Sequence, residues 1–200
     1  MADDGSTELQ MLIDRFQIGD PAARRELLAR AVNRLRRLVA KMLGESFPKL
    51  RTRHDLDSVL NETWIRLFLA LDQTSPPTVQ DFFRLAAHKI RQVLLDLAER
   101  QAKRNQREAR ALDAGESPDD SALEQETHNP VELAAWTEFH SRVTTLPETE
   151  RQIFELHYYL EIPQAEIARM TNLAPRQVSR LWIKAIEQLT QGFAEVEGIL

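Results

Sequence analysis

The sequence predicts an all-α chain: two small helical domains joined by a flexible acidic linker, the C-terminal one a helix-turn-helix. Three observations carry that expectation. Apolar residues recur at helical spacing through most of the chain. Glycine is scarce, at 6 in 200 residues, and β-branched runs are few. One stretch of twenty residues loses almost all of its large apolar side chains. An apolar content of 42% is enough to form cores, and this length suits one large domain or two small ones.

From Thr7 to Leu43 the pattern is helical, with Leu9, Leu12, Ile13 and Phe16 at i, i+3, i+4 and i+7. Gly19-Asp20-Pro21 breaks it, with Asp20 expected as N-cap and Pro21 as first residue of the next helix. Residues 44–49, GESFPK, read as a loop. Between Asp55 and Asp72 the periodicity is the cleanest in the chain. Leu56, Val59, Leu60, Thr63, Trp64, Leu67, Phe68 and Leu71 make one stripe. QTSPP (73–77) ends that helix, and a long one follows from Val79 to Arg110, apolar at first and basic later. Phe82 and Phe83 open it, where core packing outweighs base stacking. Trp64 and Trp136 are expected in cores, and Trp182 is expected to pack the helix that carries it onto its domain.

Residues 111–130 hold six acids, two prolines and no Lys or Arg, the composition of a flexible tether. Helical patterning resumes at Val131. The expected division is therefore 1–110, 111–130 and 131–200. A tether of that length permits a closed form in which surfaces on the two domains are hidden. Charge is divided as well. Residues 1–110 carry 20 Lys and Arg against 15 Asp and Glu, while residues 111–200 carry 6 against 16. The first half suits a polyanionic partner; the second does so only at a locally positive surface.

Several classes are disfavoured. There is no cysteine, hence no disulfide framework or thiolate metal site. The five histidines are scattered with no H-x-x-x-H pair, so neither metal nor cofactor is expected. No phosphate-binding glycine loop and no nucleophile–base arrangement appears, which argues against an enzyme. The N-terminus MADDGSTELQ is acidic and polar, unlike a signal or transit peptide, and no apolar run reaches the roughly 20 residues that a bilayer needs. A cytoplasmic protein is expected.

The stretch QAEIARMTNLAPRQVSRLWIKA, Gln164 to Ala185, has the internal spacing of a helix-turn-helix. The fifth position must be small where the helices cross, and it is Ala168. The ninth must tolerate positive φ, and it is Asn172. Ile167, Leu173, Val178 and Leu181 occupy the apolar positions that lock the pair. Pro175 suits the first turn of the second helix. Gln164, Arg176, Gln177, Ser179, Arg180 and Lys184 are suited to phosphate and base-edge contacts. Four basic and two acidic residues lie between Pro163 and Thr190, so the segment is positive inside an acidic half. The ordinary alternative is a helical hairpin with a solvated basic face.

On the 55–72 helix, Asp55, Ser58, Glu62, Ile65 and Leu69 gather opposite the core stripe. Two branched aliphatics with an acidic rim suit a protein partner. Incidental surface aliphatics or a second layer of core are the alternatives.

HDLDSVLNETWIRLFLAL resembles the D-x-E-D-L-V-Q-E-T-F-x-R-L-W stretch of the ECF (extracytoplasmic function) group of bacterial RNA polymerase sigma factors. LPETERQIFELHYYLEIPQAEIARMTNLAPRQVSRLWIKAIEQL is similar to their C-terminal L-P-x-x-x-R…E-I-A…V-x-R…A…L module. The resemblance covers nearly all of the chain outside the first residues and the tether. It implies an alternative sigma factor that binds core polymerase, recognises and opens promoters and initiates transcription. Asp55, Asp57, Ser58, Glu62, Ile65 and Leu69 would meet the clamp of the largest subunit. The helix from Phe82 would meet the minus-ten element through Arg84, His88, Lys89, Arg91, Arg100, Lys103 and Arg104. The helix-turn-helix would read the minus-thirty-five element. An anti-sigma factor or a serine/threonine kinase is a further partner that the resemblance suggests.

The chain departs from that pattern at three places. Ser58 stands at the second acid of D-x-E-D, and a phosphate there would restore charge of about −1.5 to −2. Thr63 is a second candidate phosphosite, disfavoured by its place on the apolar stripe. Glu161 stands where Gly is usual, and Ala174 where the second helix usually has a Ser cap. The sequence ends soon after the module, so a C-terminal sensor domain is not expected. Two other readings fit parts of the sequence. One is a stand-alone regulator that dimerises through Ile65 and Leu69; the other is a helical protein that sequesters a partner without touching DNA.

Overall fold

The computed structural model describes residues 3–51, 54–113 and 130–191, and all regular structure among them is helical. α1 (Asp3–Gln17) and α2 (Ala23–Lys41) form a hairpin. A short α3 (Pro48–Arg51) leads to α4 (Leu56–Ala70) and the long α5 (Val79–Asp113). The second half is α6 (Pro130–Arg142), α7 (Glu148–Phe154), α8 (Gln164–Thr171) and α9 (Pro175–Thr190). Most of the predicted tether, residues 114–129, lies outside the described residues. Its first three residues continue α5, and its last, Pro130, begins α6.

Local chemistry sets the boundaries. Gly19, at φ 87°, ends α1 with the Asp20 N–H donating to the Arg15 carbonyl and the Gly19 N–H to that of Phe16. That paired closure needs a left-handed residue, which glycine supplies without steric cost. Asp20 is not the N-cap of α2. Its carboxylate accepts the Ala22 N–H at 2.9 Å across a turn, and the helix starts two residues beyond Pro21, at Ala23. Residues 44–49 are not a loop either. A π-helical turn over Met42–Ser46 leads through Phe47 into α3, because Met42, Leu43, Phe47 and Leu50 are all buried. α5 opens on a box that the sequence spells as TVQD. The Thr78 hydroxyl accepts the Asp81 N–H at 3.1 Å and donates to the Asp81 carboxylate at 2.7 Å.

α1, α2, α4 and the start of α5 enclose one core. Ile13, Leu27, Leu28, Leu35, Leu67, Phe82 and Phe83 are almost wholly removed from water within it. The α4 stripe enters this core through Leu67 and Leu71, with Trp64 and Phe68 half-buried at its edge, while Val59 packs into a second core. That second core joins the two halves. Leu38, Val39, Met42 and Phe47 cluster with Ala87, Ile90 and Leu94 of α5, and with Trp136, Phe139, Val143, Phe154 and Leu189. His140 sits at this seam, fully buried and stacked on Phe47 at 5.0 Å, with its Nδ1 2.8 Å from the Tyr159 hydroxyl. The halves expected as separate domains therefore share one apolar seam.

Burial, and secondarily the Arg91 charge, push the His140 pKa down to about 3 from an ordinary value of 6.5. The folded chain keeps this imidazole neutral, whereas the unfolded chain protonates it near 6.5. Unfolding therefore takes up a proton between those values. The stability involved is fully present above pH 6.5 and is lost as pH falls toward 3. The expected slope is at most about 1.4 kcal/mol per pH unit. Urea midpoints measured between pH 7.5 and 5 should drop in the wild type and drop less steeply in His140→Phe, the remaining slope coming from His88, whose pKa is lowered to about 4. An unchanged slope in the variant would assign the proton uptake elsewhere.

Candidate nucleic-acid and partner interfaces

The turn between α8 and α9 forms at the expected register. Asn172 adopts φ 55° and ψ 33°, and the Leu173 N–H closes α8 by donating to the Ala168 carbonyl at 3.1 Å. Ile167, Ala168 and Val178 are buried between α8 and α9, with Leu173 and Leu181 half-buried beside them. Pro175 is the first residue of α9, and Ala174 makes no side-chain cap. Trp182 ties α9 to its half of the chain, stacked 5.8 Å from Phe154 and edge-on at 4.6 Å from His157.

Arg176, Gln177 and Arg180 project into solvent along α9. Ser179 and Gln164 instead bond each other at 2.7 Å, bridging the two helices. Lys184 pairs with the buried Glu150 at 2.7 Å, and that hydrogen bond, above all, draws the Glu150 pKa below the ordinary carboxylate value. Of the six residues singled out on this motif, three are presented outward and three are occupied within the fold.

Glu161 explains why glycine is usual at its position. Its φ is 55°, a left-handed conformation that costs a non-glycine residue about 1–2 kcal/mol. Its carboxylate accepts from Lys41 of α2 at 2.7 Å, a contact between the halves that glycine could not make.

On α4 the outward face is as the periodicity requires. Ile65 is 48% and Leu69 58% exposed, and Asp55, Asp57 and Ser58 are open to solvent around them. Asp57 accepts from Arg36 of α2, and Glu62 from Arg66 at 3.0 Å, so part of this acidic rim is already paired. Ser58 lies in the first turn of α4, where a helix N-terminus favours added negative charge. Thr63 is fully buried, so its hydroxyl is closed to a kinase while α4 stays packed.

The seven α5 residues do not share one surface. Arg84, His88 and Arg91, at i, i+4 and i+7, turn toward the second half. Arg91 is 1% exposed, bonded to His88 Nδ1 at 2.8 Å and paired with Glu155 at 3.4 Å. Arg84 reaches the other oxygen of Glu155 through Nε and Nη2, at 3.3 and 3.2 Å, and also Glu148 at 3.3 Å. Burial, then the charges of Arg91, Lys89 and Arg151, lowers the His88 pKa to about 4. Lys89 is half-buried beside Gln92, while Arg100, Lys103 and Arg104 are exposed far along the helix.

Glu155, which joins two of these arginines, was not singled out from sequence. The signal was there: in IFELHYYL one acid interrupts an apolar run, and a buried carboxylate needs a cation. It lies in a π-helical turn, Glu155–Tyr159, that packs on α5. The tyrosine ending that turn is fully buried, and burial raises its pKa well above the ordinary phenol value.

A family model described as ECF sigma factor matches residues 6–194. No curated protein matches the chain. Among solved structures, the cocrystal structure of the flagellar sigma/anti-sigma complex Sigma-28/FlgM is similar at 18% identity. The match covers 87% of this chain and 96% of that one, with a TM-score of 0.40.

Proposed function

The chain belongs to the ECF sigma factor family, and on that basis we propose that it binds core RNA polymerase, recognises and opens specific promoters, and starts transcription from them. The observation that carries the DNA-reading part is the helix-turn-helix with Arg176, Gln177 and Arg180 outward on α9. Ile65, Leu69, Asp55 and Glu62 supply a docking face on α4 for the clamp, and Ser58 phosphorylation would add charge at its edge. The chain is then a dissociable specificity subunit that works beside polymerase in the cytoplasm, with no chemistry of its own.

The closed arrangement gives this reading a sequence of events. Arg84 and Arg91 cannot meet a promoter strand while they hold Glu155, whereas α9 is already open. Engagement of the minus-ten element thus requires the halves to part, and α4 docking on polymerase precedes it.

Run-off transcription tests the reading. Core polymerase with the full chain should yield discrete start sites from sheared genomic DNA, sharing two upstream elements. Charge reversal at Arg176 and Arg180 should remove them while leaving polymerase binding intact. Tight binding to a palindromic site without polymerase would instead favour the stand-alone regulator. Unchanged transcripts after charge reversal would remove the helix-turn-helix from the reading.

A further inference from the structure

Three basic residues on one face of α2, Arg34, Arg37 and Lys41, border a cavity of about 280 Å³ between the two halves. Phe83 and Tyr159 line its apolar side, and Glu161 is its one carboxylate among the described residues. Arg34 lies over the Phe83 ring, 4.0 Å from its centroid. Of the acids near this face, Asp57 holds Arg36, while Glu161, inside the cavity, holds Lys41, which also donates to the Tyr158 carbonyl at 3.0 Å. Neither Arg34 nor Arg37 has an acidic partner among the described residues. Burial first, and the Arg37 charge second, lower the Arg34 pKa from its ordinary value, as expected of a cation held without a counter-charge.

We propose that this cavity binds a small phosphate-bearing anion, held by Arg34, Arg37 and Lys41. Guanidinium groups present paired N–H donors that match phosphate oxygens, and Lys41 adds a point charge. The volume equals that of about nine liquid waters at roughly 30 Å³ each, room for a pyrophosphate group but not for duplex DNA. Because α2 and the Tyr159–Glu161 segment wall the same space, occupancy favours the form that keeps the halves together. A free phosphorylated metabolite fits a half-open cleft of this volume better than the backbone of a separated DNA strand, the other source of the same chemistry.

The test is calorimetric titration of the full chain with pyrophosphate, and separately with a single-stranded deoxyoctanucleotide, at constant ionic strength. Saturable pyrophosphate binding is expected, weakened about tenfold or more by Arg34→Gln and by Arg37→Gln. Arg25→Gln, the same charge change at an exposed site on α2 outside the cavity, should bind as wild type does. Glu161→Gln should bind more tightly, because it removes that carboxylate and its hold on Lys41. Circular dichroism checks that each variant is folded, and Arg37, being exposed, can be changed with little risk to the core. Equal weakening in Arg25→Gln, or no saturation in the wild type, overturns the proposal. Saturation by the octanucleotide alone overturns it in favour of the DNA strand. Neither readout involves polymerase or a promoter, so the outcome is independent of the function proposed above.

Discussion

Glu155→Ala is expected to cost about 3–5 kcal/mol, the range found when one partner of a buried ion pair is removed. Glu155 is 5% and Arg91 1% exposed, so truncation leaves a guanidinium in the seam with no carboxylate. The His88 nitrogen 2.8 Å away is a poor substitute, being uncharged. Arg84 is less affected, because it retains Glu148 at 3.3 Å and Asp81 at 3.6 Å. The strain has an outlet short of global unfolding. Parting the halves returns Arg91 to water, so the cost cannot exceed the free energy that holds the seam together. Urea denaturation should therefore show an early transition, and small-angle scattering a larger radius in Glu155→Ala than in wild type. Replacing both members, as Arg91→Met with Glu155→Leu, should recover most of the loss, since a packed apolar pair needs no counter-charge. A single transition with a midpoint like that of wild type would show that the pair does not hold the halves.

Ile65→Asp with Leu69→Asp should abolish most binding to core polymerase, by about 100-fold or more if these two side chains are the apolar centre of the docking face. Both are about half-exposed, so the change should move thermal stability by only about 0.5 kcal/mol. That separation of effects is what identifies a docking surface. Titration of labelled protein with polymerase, followed by anisotropy, reads the affinity, and calorimetry of the free protein reads the fold. Ser58→Asp in the same titration should bind more tightly than wild type. Its charge joins Asp55 and Asp57 around the aliphatic pair, and Asp57 is already partly neutralised by Arg36. Wild-type affinity in the double aspartate would move the docking face off α4.

Much of the fold was legible because it is written in local physics. The α4 stripe, Ala168 at the crossing, Asn172 in the turn and Pro175 at the start of α9 each follow from spacing or backbone preference, and each is observed. The misreadings were also local. Asp20 serves a turn rather than a helix cap, and GESFPK is helical because Phe47 and Leu50 must reach the core. For the outward residues of α4, periodicity was again sufficient, since a helix with one apolar stripe leaves only one other face.

Sequence alone determined the helical class, the order of the long helices, the register of the turn between α8 and α9 and the identity of the family, because these depend on neighbours within a few turns of the chain. Only the tertiary structure decided which cations remain open. Arg84, Arg91 and Lys184 read as surface charge, yet Glu155 and Glu150 claim them across 34 to 71 residues of sequence. The same holds for Glu161, whose backbone wants glycine and whose carboxylate wants Lys41, 120 residues away. Lys184 is claimed within the second half, by α7, whereas the pairings of Arg84, Arg91 and Lys41 arise because two halves, each with an incomplete apolar face, cover each other. At Arg91 and Glu155, 1% and 6% exposed, that seam removes the water that would otherwise have screened the pair.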